Sequence, residues 1–155
     1  MLSPDLPVEP AEAIKLLRKI IGENPVRLLI GASLGGYYAD YLNSCYGIPA
    51  VLINPSTRPF ETLKNYLGEN TNWCSGESFE WLLEYCDTLA SLYREAPTAD
   101  ERYLVLLQSA DEVLDYRLAE ARYRHHRVIV EQGGNHRFEN LGDYLPVIEE
   151  FLEVV

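Results

Sequence analysis

The apolar positions of this chain change period along its length, and the changes mark out its elements. After a Pro-rich opening (Pro4, Pro7, Pro10), Ile14, Leu17, Ile20 and Ile21 recur at helical spacing until Asn24-Pro25 stops the pattern, which predicts a first helix over 11–21. Val26 to Ile30 is apolar on both faces apart from Arg27 and halts at Gly31, the pattern of a buried strand in a parallel sheet. A helix from Leu34 to Cys45 follows, closed by Gly47, and then a strand from Ala50 to Ile53 that ends at Asn54-Pro55. Farther on, Phe79, Leu82, Leu83, Cys86, Ala90 and Tyr93 recur at spacings of 3, 4 and 7, which predicts one long amphipathic helix. Tyr103 to Leu107 reads as a third strand, 112–123 as a helix, Val128 to Val130 as a fourth strand and 143–154 as a closing helix. Strand and helix alternate, so the expectation is an α/β layered fold with a parallel sheet and right-handed crossovers.

Size and charge narrow the function. At 155 residues the chain has the length of one domain, expected to span 1–155, and 47% of it is hydrophobic. Folding buries roughly two-thirds of the surface that an unfolded chain of this size exposes, so a core forms without a disulfide or metal staple. Asp and Glu number 24 against 13 Lys and Arg, and the net charge of −11 repels phosphate backbones and anionic lipid surfaces. Neither nucleic acid nor membrane is therefore an expected partner. The longest uncharged stretch, Tyr41 to Thr57, is broken by Asn43, Pro49, Asn54 and Pro55 and is too polar to span a bilayer. Cys45, Cys74 and Cys86 form no CxxC pair and read as buried thiols in a reducing compartment. The first ten residues have neither a basic start nor an apolar segment, so the expected location is the cytoplasm.

The chemistry concentrates at strand ends. Gly31, Ala32, Ser33, Leu34 and Gly35 fit GxSxG between a strand and a helix, where a sharp turn exposes the serine hydroxyl at the carboxyl edge of the sheet. Residue frequencies give about 0.05 chance matches in a chain this long, and the strand-helix context lowers that further. The bland reading is an ordinary turn that carries a serine. A serine alcohol needs a histidine base and an acid to orient it. His125 and His126 precede the fourth strand, which puts them at the opposite edge as solvated surface residues. His136 follows that strand after Gly133-Gly134 and is the histidine that topology selects. For the acid, the same edge holds Asp111, with Glu112 and Asp115 expected inside the next helix, where first-turn carboxylates complement the helix dipole. Asp111 itself fits a helix N-cap as well as a triad acid. The order Ser33, Asp111, His136 is that of the α/β-hydrolases. A dinucleotide-binding loop over Gly31 to Gly36 fits poorly: there is no GxGxxG, and the next strand ends in Asn54 rather than an acidic residue. Nothing in the chain calls for a cofactor or a metal.

Four segments, GASLGGYYADYL, INPSTRPFETLKNYLGEN, LLQSADEVLDYR and EQGGNHRFENLGDY, resemble in that order the YqiA-like family of small bacterial esterases. The resemblance runs from about Leu6 onward. It implies a three-layer α/β-hydrolase fold with a mostly parallel sheet of about four strands, N-terminally truncated relative to the family. It also implies a serine carboxylic ester hydrolase acting on short-chain acyl esters, with acyl thioesters as further candidates, through Ser33 as nucleophile, Asp111 as acid and His136 as base. Leu34, the residue after the nucleophile, gives one backbone N–H of the oxyanion hole. Family members begin with a strand ending in His-Gly, then another strand, before the Pro-rich segment, and these are not present here. Two expectations follow: an internal Met start within a longer natural protein, which is preferred, or a short form whose exposed strand 26–30 pairs with another copy. A hydrolase-fold protein without turnover is the alternative function, since the second oxyanion donor is unassigned. The segment of about 56–101 holds Phe60, Tyr66, Trp73, Phe79, Trp81, Tyr85 and Tyr93 at the place where many such hydrolases carry a helical lid. Some of these rings are candidates to line an acyl pocket, and more of them are expected to pack the long helix.

Overall fold

The fold was obtained as a computed structural model that describes residues 1–72 and 75–153. Trp73, Cys74 and the last residue of the expected closing helix, Val154, lie outside the described residues. In chain order the elements are α1 (Pro10–Glu23), β1 (Leu29–Ala32), α2 (Leu34–Tyr46), β2 (Ala50–Ile53), α3 (Pro59–Thr62), β3 (Gly68–Thr71), β4 (Ser78–Trp81), α4 (Leu83–Ser91), β5 (Tyr103–Gln108), α5 (Tyr116–Arg122), β6 (Arg127–Glu131) and α6 (Leu145–Glu153). They form two compact units, Met1–Pro25 with Arg58–Tyr93, and Val26–Thr57 with Arg94–Val155. Among the described residues no helix is long and apolar enough to cross a membrane.

The larger unit is built on one all-parallel sheet in the order β1-β2-β5-β6. Alternate residues of its central strands feed two separate cores. Ala50 and Leu52 of β2 and Tyr103, Val105 and Leu107 of β5 pack with Ala39 of α2 and with Ala119 and Tyr123 at α5. Val51, Ile53, Leu104 and Leu106 point the other way and pack with Phe138 and with Ile148 and Phe151 of α6. This is the three-layer arrangement of an α/β fold, and every residue of β5 is buried because both sheet faces are covered. The first strand starts three residues later than its apolar run predicts. It pairs only with β2 among the described strands, and Ile30 is half exposed, as an edge position is.

The closing helix runs over Leu145–Glu153, within the expected 143–154. The expected helix over 112–123 begins at Tyr116: the Asp111 carboxylate accepts from the N–H groups of Val113 and Leu114 as an N-cap would, but Asp115 is extended (φ −70°, ψ 106°) and ends that turn before a helix can continue. Asp115 then caps α5 through the Arg117 N–H, so Glu112 lies in the turn and Asp115 at the cap, both ahead of the helix.

The smaller unit corrects the expected long helix. Phe79 and Trp81 belong to β4, which pairs antiparallel with β3 in the register Gly68↔Trp81 and Asn70↔Phe79, and helix starts only at Leu83. Phe79 and Trp81 are also two apart, so the same apolar positions fit a strand, and aromatic residues favour it. Within this unit the aromatic rings pair with one another, Phe60 with Tyr93 and Trp81 with Tyr85, edge to face at 5.2 and 5.3 Å. The indole N–H of Trp81 donates to the buried Cys86 Sγ. Cys45, expected buried, is exposed near the end of α2.

At the amino end of the large sheet a buried carboxylate organises its surroundings. Asp40 of α2 receives Arg94 Nη2 at 2.9 Å, Arg122 Nη2 at 2.8 Å and the Tyr103 hydroxyl at 2.8 Å, while Arg94 also grips Glu101 with both Nη atoms. Burial first, and the Asp40 carboxylate next, push the Tyr103 phenol far up, so it remains a donor. His126 belongs to this neighbourhood and corrects the expectation of a solvated residue: its ring sits edge-on to Tyr103 at 5.1 Å, and desolvation lowers its pKa. His125 is exposed, as expected. Removing the carboxylate leaves the Arg122 guanidinium, 10% exposed, without its counter-charge, while Arg94 keeps Glu101. Asp40→Ala is therefore expected to lose about 3–5 kcal/mol in urea unfolding, against about 1 kcal/mol for Tyr103→Phe.

Candidate active site

The turn at Ser33 is as tight as GxSxG requires. Ser33 stands between β1 and α2 at φ 51° and ψ −120°, a conformation that L-residues rarely adopt. Its N–H donates to Ile53 O, and its carbonyl accepts from Ser56 N and Gly36 N at 3.0 Å each, which ties the turn to the end of β2. The glycines make room for it. A Cβ on Gly31 would collide with the Gly35 carbonyl, and one on Gly36 would come within 2.7 Å of Pro55 Cβ. Leu34 opens α2, so its N–H belongs to the first helical turn, where an α-helix has no internal acceptor to offer.

The sheet brings the three separated candidates to one edge. Ser33 follows β1, Asp111 follows β5 and His136 follows β6, and all three strands run the same way. His136 Nδ1 lies 2.8 Å from Asp111 Oδ2, and His136 Nε2 lies 3.0 Å from Ser33 Oγ. With the proton on Nδ1, the imidazole donates to Asp111 and accepts from the Ser33 hydroxyl at Nε2. The Asp111 side chain is 1% exposed and the His136 side chain 19%, so the carboxylate is shut in while the imidazole is reachable. Asp111 Oδ1 also accepts from Val113 N and Leu114 N at 2.8 and 2.9 Å, so the turn-capping role and the imidazole contact coexist in one side chain.

Residues that motif reasoning passed over support His136. The Glu112 carboxylate accepts the His136 backbone N–H at 2.9 Å. Glu112 sits below the usual carboxylate range because its own backbone N–H and that of His136 bond to it. Gln108, buried at the end of β5, accepts Asn135 N on its Oε1 and donates from Nε2 to Glu131 and Asn140. Those bonds from Gln108 and then Asn140 lower the pKa of Glu131. Gly134 at φ 75° lies so close to the Gln108 amide that a Cβ would overlap it. The available signal for these residues was weak: polar side chains at the ends of apolar strands, where chain reversal already explains polarity. Among the described residues no three His, Cys, Asp or Glu side chains gather as a metal ion requires.

Four parallel strands covered on both faces, with a strained serine at a strand-to-helix turn, define an α/β-hydrolase fold. The fold is shared with mouse alpha/beta hydrolase domain-containing protein 10, at a TM-score of 0.69 and 15% identity over 92% of this chain and 69% of that one. It is shared also with the esterase domain from a Rhodothermus marinus protein, at a TM-score of 0.64 and 16% identity over 92% and 66%. The chain belongs to the Uncharacterised protein family (UPF0227), whose model matches residues 1–153. A relative in that family, UPF0227 protein YcfP of Salmonella paratyphi A (strain ATCC 9150 / SARB42), is 29% identical over 141 residues, 90% of this chain and 71% of its own.

Two outcomes follow. A positive-φ serine stores backbone strain of order 1–3 kcal/mol, part of which glycine gives back as unfolded-state entropy. Ser33→Gly should therefore melt about 2–4 °C above the wild type, and Gly31→Ala below it, by calorimetry. Glu112 and Glu131 both have lowered pKa values in the folded state, so what they contribute to stability is complete above the ordinary carboxylate value of about 4.3 and is lost as pH falls through their depressed values. Protection factors of the amides in 133–138, taken against the intrinsic rate at each pH, should fall over that acid window, and Glu131→Gln should remove part of the pH dependence.

Proposed function

We propose that this protein is a serine carboxylic ester hydrolase, with Ser33 as nucleophile, His136 as general base and Asp111 as the residue that orients and stabilises the imidazolium. The observation that carries the proposal is the unbroken contact chain from Ser33 Oγ to His136 Nε2 at 3.0 Å and from His136 Nδ1 to Asp111 at 2.8 Å. A strained turn that exposes the serine at a helix N-terminus supports it. The esterase domain that shares the fold is in keeping with it.

His136 Nε2 takes the Ser33 proton as Oγ attacks the ester carbonyl carbon. The oxygen that gains charge faces the N–H of Leu34 and the positive end of the 13-residue helix α2, which stabilise it where charge develops. Collapse breaks the bond to the alcohol, which leaves with the proton from Nε2, and the acyl group stays on Oγ. Water, deprotonated by His136, then repeats the sequence and releases the carboxylic acid. Short-chain acyl esters are the substrate class, with thioesters of the same acids as further candidates. The net charge of −11 favours uncharged esters over polyanionic acyl donors.

Hydrolysis of a short-chain nitrophenyl ester should fall about 10⁴-fold or more in Ser33→Ala and about 10⁴-fold in Asp111→Asn. Stoichiometric labelling of wild-type Ser33 by a fluorophosphonate checks the same reading without turnover. Equal rates for the wild type and Ser33→Ala, with no labelling, would mark a hydrolase fold that does not turn over substrate.

A further inference from the structure

Among the described residues three non-glycine residues have positive φ: Ser33 at 51°, Asn54 at 39° and Phe138 at 57°. Strain of this kind gathers at functional sites, where surrounding structure holds it. Ser33 is the candidate nucleophile, and Phe138 anchors the loop after His136 by packing against Tyr144. Asn54 has no part in the steps above, yet it is 3% exposed and its side chain bonds to the backbone of Gln108, Asn135 and His136.

Its side chain joins three strand ends. Asn54 Oδ1 accepts the Gln108 N–H at 2.9 Å, and Nδ2 donates to the carbonyls of Asn135 at 3.1 Å and His136 at 3.2 Å. The Asn54 N–H donates to Leu106 O. The Gln108 carbonyl in turn accepts the Asp111 N–H at 3.2 Å. One buried amide thus fixes the peptide of the base and, through Gln108, the strand that delivers the acid. The His136 peptide is held from both sides, its N–H by Glu112 and its carbonyl by Asn54. Asparagine suits the position on two counts. It tolerates positive φ better than other non-glycine residues, and its amide offers an acceptor to an N–H and donors to two carbonyls at once.

We propose that Asn54 is a positioning residue for the reaction: its carboxamide sets the placement of the His136 imidazole between Ser33 and Asp111 without touching substrate. This rests on the esterase reading above. Misplacement of a catalytic group by about 1 Å costs on the order of 100-fold in rate. The decisive variant is Asn54→Asp, which keeps the shape and the bond to Gln108 N but turns oxygen toward the two carbonyls. Asn54→Gly, which accepts φ 39° without strain, removes the side chain and stands in if the first variant does not fold.

Both variants are assayed on a nitrophenyl ester for kcat and KM, with the folded fraction taken from circular dichroism. The downfield proton resonance of the His136–Asp111 hydrogen bond is recorded by NMR on the same samples. The expected result is kcat lower by about 30- to 100-fold per folded molecule, KM within about twofold of wild type, and the downfield resonance broadened or shifted upfield. Unchanged kcat and resonance in folded variants overturn the proposal. So does a loss of activity that only tracks the folded fraction while the resonance stays put, which marks a structural role alone. If the wild type itself shows no Ser33-dependent hydrolysis, the esterase reading fails separately, and the resonance still reports whether Asn54 positions the imidazole.

Discussion

Parallel pairing sends the carboxyl end of every strand in the large sheet to the same edge, and the site depends on that more than on any one contact. Ser33, Asp111 and His136 are 25 to 103 residues apart in sequence, yet each only has to leave its own strand and turn. The register behind this is pinned by the two cores. A slip of one residue in β5 would carry Tyr103, Val105 and Leu107 to the face now held by Leu104 and Leu106, and would move Gln108 off Asn54 as well. Packing in the middle of the sheet therefore fixes distances at its rim.

Where the chain announced its structure in advance, one kind of residue sufficed to do so. Gly31, Ser33 and Gly35 marked the turn because their spacing states a steric need, and Ala50–Ile53 and Tyr103–Leu107 were recognisable because strands buried on both faces are continuously apolar. The helix expected through Phe79 failed where two periods coincide on the same residues, and only pairing with β3 decides between them. The helix expected from 112 failed at Asp115, whose extended backbone interrupts the turn that Asp111 opens and starts the helix afresh at Tyr116. His126 and Asn54 were illegible for a different reason: what each does is set by partners tens of residues away, Tyr103 for one and His136 for the other.

The two ends of the sheet are secured by different chemistry. At the amino end, full charges do it, with Asp40 between Arg94 and Arg122. At the carboxyl end amides share the task with carboxylates: Asn54 and Glu112 hold the two sides of the His136 peptide, Gln108 holds Asn135 N, and Asn140 bonds to Glu131. The amides fix the backbone around His136 and leave the imidazole itself to the buried Asp111 carboxylate.

The residue after Asn54 is Pro55. Asparagine side chains age by spontaneous deamidation, in which the nitrogen of the following peptide attacks the carboxamide and expels ammonia through a cyclic imide. Proline has no N–H to lose, so its nitrogen cannot close that ring. The dipeptide that follows β2 is thus also a chemical preservative. The one amide on which three strand ends converge is denied the commonest route by which an asparagine turns into an aspartate over a protein's lifetime.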